Sequence, residues 1–265
     1  MTPVATTRSP FAVTLTVWKA LFMREVLARL AQDRFGWIWI VAEPVAHVAL
    51  LMAMFTLGFR TKVIAGVEVG VFIMLGVLGF FLARNMMTRC MDAIAANEAL
   101  YAFRQVKPVD SVIARAGTEA LLVCVVLILM LLGAGLVGLP VKPVDPLGAL
   151  AALGALGLAG LGLGLTLSVL GGLVEELGRV LRLLTTPLYF LSAVMYPSVI
   201  LPPAVRDILL YNPLVHGVES LRLAFMQGYL APQEIELLYL VKFGVVLVFL
   251  GLALHIRFRS ALVTE

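Results

Sequence analysis

The chain has 265 residues, of which 62% are hydrophobic and 14% are charged, and its mean hydropathy is +1.04. A soluble domain of this length cannot bury so much apolar surface, so the composition excludes a water-soluble globular protein and predicts a polytopic membrane protein. The net charge of +4 does not indicate nucleic-acid binding, because the basic residues follow the membrane topology described below.

The N-terminal segment, residues 11–34, is predicted to form an interfacial helix on the inner leaflet. Its apolar side chains recur at helical spacing at Phe11, Leu15, Trp18, Phe22 and Val26. Arg29 falls on the same face and makes the amphipathic pattern imperfect. A helix that only anchors the start of the chain explains the spacing equally well.

Six apolar stretches are each long enough to cross a bilayer, since one span needs roughly 20 residues. They cover residues 37–59, 67–87, 120–139, 147–173, 183–200 and 237–256. The fifth stretch is interrupted by Thr186 and Pro187. Unbroken Leu, Val and Ala runs argue against a membrane β-barrel, whose strands alternate over about 10 residues. We therefore predict an all-α membrane protein with a single domain, residues 1–265, and a six-span bundle over residues 37–256.

The basic residues predict the orientation of this bundle, because Lys and Arg in short loops stay on the cytoplasmic side. With the N-terminus inside, fourteen of the 20 Lys and Arg residues lie in the cytoplasm and six lie outside. Both chain termini are therefore expected to be cytoplasmic.

A polar segment at residues 97–107, NEALYAFRQVK, separates the second and third spans. A membrane protein that places such a segment in the cytoplasm is usually moved there by a partner, so we predict that it couples the chain to one. The sequence lacks the G-x-x-x-x-G-K-[ST] motif and therefore does not cradle ATP phosphates itself. Three glycines, Gly160, Gly162 and Gly164, superficially suggest a glycine-rich nucleotide loop. They lie in the charge-free fourth span, where small residues predict close helix packing.

Residues 201–227 are predicted to form a re-entrant helical hairpin on the outer face, before the last span. Its two short helices, over residues 203–211 and 213–226, are too short to cross a membrane, so they must pack in protein or line a wet cavity. Asn212 followed by Pro213 is a favourable helix start. Such a hairpin acts either as an external gate or only as a plug. The candidate gate residues are Asn212, Pro213, His216 and Glu219.

Polar side chains also occur at membrane depth. Because burying them in the bilayer costs free energy, they are candidates for functional residues. Glu43 and His47 are four residues apart on one helix face, and we expect a structural hydrogen bond between them. Arg84 begins a polar stripe in the second span and faces either an aqueous path or, by snorkelling, the lipid headgroups. Cys90 and Cys124 are expected to be free thiols, and no residue spacing predicts a metal site.

Four motifs carry a specific resemblance to a known family. They are RFGWIWIVAEPVAH at residues 34–47, NEALYAFRQVKPVDSVIARA at 97–116, TPLYFLSAVMYP at 186–197 and YNPLVHGVESLR at 211–222. In order and spacing, the series resembles the permease subunit of capsular polysaccharide ABC exporters, within the ABC-2-type permease superfamily. The resemblance covers nearly the whole chain, and one departure is Gln105, where the family pattern has proline.

The resemblance implies a multi-pass subunit of the bacterial inner membrane that is not an enzyme and binds no cofactor. Two permease copies would pair with two copies of a separate ABC ATPase, which binds ATP and Mg. The implied substrate is a lipid-linked acidic capsular polysaccharide, with periplasmic and outer-membrane export proteins as further partners. A related polymer, O-antigen or teichoic acid, is the alternative. A secondary transporter and a membrane glycan transferase fit less well, because no internal repeat is visible and external acid–base candidates are few.

The same resemblance, together with the aromatic and charged residues near each motif, suggests two sets of functional residues. The coupling set, which would contact the ATPase, is Glu98, Tyr101, Arg104 and Lys107. The conduit set, which would contact the polymer, is Arg34, Trp37, Trp39, Arg84, Tyr189, Phe190 and Tyr196. Aromatic side chains suit the C–H faces of sugars, although an interfacial aromatic belt accounts for each of them equally well.

Overall fold

The computed structural model of the protein describes residues 9–31, 36–58, 60 and 62–262. Its α-helices are α1 (Pro10–Ala31), α2 (Gly36–Ala53), α3 (Val69–Met91), α4 (Pro108–Leu136), α5 (Pro146–Leu173), α6 (Glu175–Phe190), α7 (Pro203–Leu210), α8 (Pro213–Phe225) and α9 (Leu237–Arg257). A π-helical turn, Met54–Gly58, extends α2, and 3-10 helices cover Ala95–Ala102 and Ser198–Ile200.

A small antiparallel hairpin of strands β1 (Val63–Ile64) and β2 (Val67–Glu68) connects α2 to α3. Its two turn residues, Ala65 and Gly66, have positive φ angles of 47° and 85°. Two consecutive residues with positive φ match the right-handed twist of the strands in a two-residue hairpin loop. This hairpin is a minor addition to the predicted all-helical membrane fold.

Five helical segments are long and apolar enough to cross a membrane. They are Trp37–Gly58, Val69–Met91, Pro108–Leu136, Pro146–Leu173 and Leu237–Arg257. They confirm a polytopic helical membrane protein and correspond to the first four predicted spans and the sixth. The fifth predicted span, residues 183–200, is wrong in its extent, because α6 begins earlier and ends at Phe190. After Phe190 the chain turns instead of continuing the helix.

The centre of the bundle is α3, which is buried along most of its length and packs against α4, α5 and α8. The α5 helix lies against both α3 and α9, with glycines at the contacts. A Cβ atom added to Gly160 would lie 3.0 Å from the carbonyl oxygen of Ala83, and one added to Gly162 would lie 2.9 Å from that of Gly244. The predicted use of small residues for close packing is confirmed.

The α1 helix packs along α4 through aromatic and charged side chains. Trp18 donates a hydrogen bond from Nε1 to Asp110 Oδ1 at 2.7 Å. Further along the same face, Phe22 lies near Gly117 and Arg29 lies near Glu119. Part of the face that we expected to meet lipid therefore covers α4. Arg29, which interrupts the apolar face of the helix, is thus paired with an acidic residue of α4.

The two helices predicted at residues 203–211 and 213–226 are α7 and α8, each within one residue of its expected ends. Asn212 caps α8 as predicted, because its side-chain oxygen accepts a hydrogen bond from the amide of Leu214 at 3.1 Å. The α8 helix is largely buried against α3, α5 and α9, whereas α7 is more exposed.

Candidate functional site

A recess of about 350 Å³ opens where α1, α2, α3 and α6 meet. We call it the arginine recess. Its lining residues are Arg29, Glu43, Arg84, Asn85, Thr88, Arg89, Asp92, Arg182 and Thr185. Four guanidinium groups and two carboxylates make this wall cationic, and such a wall attracts anions bearing carboxylate or phosphate groups.

Arg84 is held firmly at the wall of the arginine recess. Its Nε and Nη2 atoms donate hydrogen bonds to Asn85 Oδ1 at 3.0 and 2.8 Å, and its guanidinium carbon lies 4.0 Å from the centroid of the Phe81 ring. The nearest oxygen of Glu43 is 3.7 Å from Nη2, which is too far for a hydrogen bond. The guanidinium group is therefore oriented while remaining able to bind a further anion.

Glu43 and His47, which we expected to bond to each other, have separate tertiary partners. Glu43 pairs with Arg84, and His47 Nε2 lies 2.8 Å from the hydroxyl of Tyr189 on α6. The Tyr189 ring makes edge contacts with Phe80 and Phe190 at centroid distances of 5.3 and 5.6 Å. These contacts join α2, α3 and α6 next to the arginine recess.

The other predicted conduit residues are placed less closely together. Trp37 and Trp39 are 57% and 69% exposed on α2, and neither lines the arginine recess within the described ranges. Tyr196 donates a hydrogen bond from its hydroxyl to the carbonyl oxygen of Phe190 at 2.6 Å. Arg34 lies outside the described residues. The structure thus brings together Arg84, Tyr189 and Phe190 from the predicted set, with Tyr196 beside Phe190.

The predicted coupling segment, residues 97–107, consists of part of a 3-10 helix followed by a turn. Glu98, Arg104 and Lys107 are exposed, as a contact surface for a partner requires. Tyr101 is buried instead, and its hydroxyl lies 2.6 Å from Ser111 Oγ. Burial raises the pKa of Tyr101, so its phenol stays protonated and supports the segment from within.

Asn97 connects the coupling segment to α1, a role that the sequence did not reveal. It is buried, and its Nδ2 atom donates hydrogen bonds to Ala93 O at 2.7 Å and to Glu25 Oε1 at 3.4 Å. Its Oδ1 atom accepts a hydrogen bond from Arg24. Glu25 in turn accepts two hydrogen bonds from Arg115 on α4, both at 3.1 Å. The coupling segment, α1 and α4 thus share one polar network.

The predicted gate residue Glu219 is completely buried in a second network. Its Oε1 accepts hydrogen bonds from the amide and hydroxyl of Ser198 at 3.1 and 2.8 Å, and its Oε2 accepts one from the Tyr229 hydroxyl at 2.6 Å. Burial raises the pKa of Tyr229, which keeps this phenol a donor. Glu219 also lies 3.6 Å from Arg222, one helical turn further along α8.

Arg222 is the main residue that the sequence reading missed, since we counted it only among the external basic residues. It is fully buried and donates to the carbonyl oxygens of Phe72, Ala193 and Val194 at 3.3, 2.8 and 2.6 Å. Two of these carbonyls, those of Ala193 and Val194, belong to the turn that follows α6, so Arg222 stabilises this turn. The Glu219–Arg222 spacing of i, i+3 in an apolar segment was the available signal.

The remaining gate residues brace the hairpin. His216 Nδ1 accepts a hydrogen bond from the amide of Glu236 at 2.9 Å, so its Nε2 carries the proton donated to the carbonyl of Leu210 at 2.8 Å. Asn212 donates from Nδ2 to the carbonyl of Leu191 at 2.9 Å. Pro213 occupies the start of α8. No group of three or more potential metal ligands occurs within the described ranges.

Substituting Gly76 tests how tightly the Arg222 side chain is packed. A Cβ atom at Gly76 would lie 2.6 Å from the carbonyl oxygen of Val194 and would also meet the Arg222 guanidinium group. We expect Gly76→Ala to destabilise the protein by about 1–3 kcal/mol, because an overpacked core must shift its backbone. Thermal unfolding of the purified protein in detergent measures this loss.

Gly154→Ala is the matched control, because Gly154 lies in a helix with nothing within 4 Å of an added Cβ. We expect its stability to stay unchanged or to rise by up to about 1 kcal/mol, since alanine favours helices. Equal unfolding temperatures for the two variants would contradict the assigned role of Gly76.

Comparison with known proteins identifies the family. The model of the ABC-2 type transporter family matches residues 16–226. The chain is 36% identical to the polysialic acid transport protein KpsM of Escherichia coli over 259 residues, which are 97% of this chain and 99% of that protein. It is 26% identical to the capsule polysaccharide export inner-membrane protein CtrC of Neisseria meningitidis over 241 residues, covering 91% of this chain and 90% of that protein. With BexB of Haemophilus influenzae, a protein of the same description, it shares 24% identity over 255 residues, or 96% of each chain. The chain belongs to the ABC-2 type transporter family.

Proposed function

We propose that this chain is the membrane-spanning subunit of an ATP-driven exporter that moves lipid-linked acidic capsular polysaccharide across the bacterial inner membrane. The observation that carries the proposal is the arginine recess, which opens at one end of a membrane-spanning bundle. Carboxylates of an acidic polymer and the phosphate of a lipid anchor are groups that guanidinium binds in a bidentate manner. The names of the relatives, KpsM, CtrC and BexB, support the polysaccharide.

The proposed architecture is a single domain with both termini in the cytoplasm and six spans, of which α6 is the fifth. This helix has 16 residues and is about 24 Å long, slightly shorter than the hydrocarbon core. Its first half carries Glu176, Arg179 and Arg182, which suit the cytoplasmic interface. The α7–α8 hairpin then lies on the outer side, and α1 lies at the inner interface.

The proposed assembly has two permease copies and two separate ABC ATPase subunits, which supply the ATP and Mg sites. Leu183, Leu184 and Phe190 on α6 are exposed in the single chain, as a face covered by a second copy requires. Periplasmic and outer-membrane export proteins would receive the polymer at the α7–α8 side, which is the proposed external gate.

In the proposed mechanism, ATP binding closes the ATPase dimer and moves the coupling segment through its exposed charges. The Asn97–Glu25 contact passes that movement to α1, and the Glu25–Arg115 bonds pass it to α4. A two-state shift of these helices then opens a path between the permease copies. The polymer would enter at the arginine recess and pass along Tyr189 and Phe190.

One reconstitution experiment tests the proposed function as a whole. The permease and its cognate ATPase are placed together in sealed vesicles that carry lipid-linked capsular polysaccharide. We expect polymer transfer to need ATP and to continue after ionophores have collapsed all ion gradients. Transfer that follows an ion gradient without ATP would contradict the proposal and favour a secondary transporter.

The topology predicts which introduced cysteines are accessible from outside the cell. In a background without Cys90 and Cys124, a membrane-impermeant maleimide should label Lys142→Cys in intact cells. Glu98→Cys and Glu176→Cys should be labelled only after the cells are permeabilised, because both positions are placed in the cytoplasm. External labelling of Glu176→Cys would show that α5 does not cross the membrane.

Charge reversal tests the coupling segment. The double variant Glu98→Lys, Arg104→Glu should lower export about tenfold or more, because it inverts exposed contacts worth roughly 0.5–1 kcal/mol each and misdirects the partner. Export is measured as surface capsule, and ATPase activity of the purified complex reports on coupling. Glu68→Lys with Lys62→Glu is the control, since both residues are exposed beyond the opposite end of α2. Normal export by the first variant would rule out coupling through this segment.

Arg84 is predicted to contact the anionic substrate. Arg84→Ala should lower export about tenfold, because a bond between charged groups contributes roughly 1.5–3 kcal/mol, and Arg84→Lys should retain part of the activity. The complex with the ATPase should still assemble. Arg257→Ala, at the exposed end of α9, is the control and should export normally. If Arg84 only snorkels to headgroups, lysine substitutes fully and alanine costs little.

A further inference from the structure

Glu119 on α4 is the acidic partner of two arginines of the arginine recess. Only 4% of its surface is exposed. Its Oε1 atom lies 3.4 Å from Nε of Arg29 on α1 and 3.9 Å from Nε of Arg89 on α3. One buried carboxylate oxygen thus stands between two guanidinium groups from different helices, and both of these groups also line the recess.

These contacts are ion pairs without hydrogen-bond geometry. Arg29 Nε is buried and has no hydrogen-bond acceptor among the residues that the structure describes. The neighbouring pair of Glu25 and Arg115 differs, because both oxygens of Glu25 accept hydrogen bonds from that guanidinium at 3.1 Å. A forked pair of this kind is the strong arrangement for arginine and a carboxylate. Glu119 therefore holds its two arginines more loosely than Glu25 holds Arg115.

A small cavity beside Glu119 gives these side chains room to move. Its volume is about 40 Å³, and Arg29 and Glu119 both line it. Glu43 and Asn85 line both this cavity and the arginine recess, so the two spaces adjoin. A space of this size accommodates a water molecule, which needs roughly 10–15 Å³.

The charges around the recess do not cancel. Four arginines line it, and the acidic groups that pair with them are Glu43, Asp92 and Glu119. Arg182 is bonded to Asp92 at 2.8 Å, so its charge is already paired with a carboxylate. One positive charge remains for a singly charged anion, because Arg29 and Arg89 share a single carboxylate oxygen, Oε1 of Glu119.

We propose that Glu119 is an internal counter-anion of an anion-binding recess, which holds Arg29 and Arg89 until a phosphate or carboxylate group of a membrane-borne amphiphile takes its place on both arginines. Glu119 acts here as a positioning residue. That the amphiphile is the transported substrate rests on the proposed function, whereas the anion site itself is tested by binding alone.

The exchange would also act on α1. Arg29 is the contact between α1 and Glu119, while Trp18 and Glu25 hold α1 to α4 closer to its N-terminus. Removing Arg29 from Glu119 would therefore release the C-terminal part of α1 alone.

Binding of short-chain phosphatidylglycerol to the purified permease–ATPase complex without ATP or polymer tests the proposal. Glu119→Gln removes the competing charge, so the dissociation constant should fall about fivefold, and the gain should shrink at high salt. Inorganic phosphate and short-chain phosphatidylcholine are the comparison probes. Tightening for phosphatidylglycerol alone assigns the site to an anionic lipid headgroup, and equal tightening for inorganic phosphate assigns it to the phosphate group itself.

Glu25→Gln is the matched control, because it removes the same charge from a carboxylate whose arginine, Arg115, does not line the recess. Its phosphatidylglycerol affinity should stay unchanged. The double variant Arg89→Gln, Glu119→Gln should not show the tighter phosphatidylglycerol binding of Glu119→Gln. Arg89→Gln alone should weaken phosphatidylglycerol binding about fivefold. If Glu119→Gln fails to fold, the Arg89→Gln single variant tests the proposal.

Four results would overturn the inference. They are unchanged phosphatidylglycerol binding by Glu119→Gln, equal tightening by Glu25→Gln, equal tightening toward zwitterionic phosphatidylcholine, and unchanged phosphatidylglycerol binding by Arg89→Gln. If the binding results hold but the complex transfers no polysaccharide, the anion site stands and the proposed export function fails.

Discussion

The half of the bundle that contains α7 and α8 depends on one buried guanidinium group. A charge removed from water is tolerated only when its donors are satisfied, and Arg222 meets this condition with three backbone carbonyls and the face of the Phe72 ring. Those carbonyls lie on α3 and on the turn after α6, so one α8 side chain fixes the relative positions of three chain segments. Glu219 then balances the charge and brings in Ser198 and Tyr229.

The end of the bundle that holds the arginine recess is organised differently. Its ion pairs include separations of 3.4, 3.7 and 3.9 Å, and several of the side chains are partly exposed. Loose pairs lose little when they exchange partners, whereas the network around Arg222 cannot open without leaving a buried charge unpaired. The same bundle thus has one end with a closed polar network and one end with longer ion pairs.

The sequence predicted local features well, because these depend on neighbouring residues. Five spans, the Asn212 cap and both hairpin helices follow from hydropathy, capping chemistry and helix length. The partners of Glu43, His47 and Arg29 could not be predicted in this way, since each partner lies on another helix. The end of α6 was missed for the same reason, because the carbonyls of the following turn are bonded by Arg222, about 30 residues away.

The glycine contacts between α5 and α9 limit how the bundle can move. A Cβ atom on Gly244 would lie 3.0 Å from the amide nitrogen of Ala159, and one on Gly251 would lie 2.9 Å from that of Thr166. Sliding either helix by one residue, about 1.5 Å, would drive neighbouring side chains into the opposite backbone. The two helices therefore form one mechanical unit. The contact between α2 and α6 through the side chains of His47 and Tyr189 constrains those two helices less.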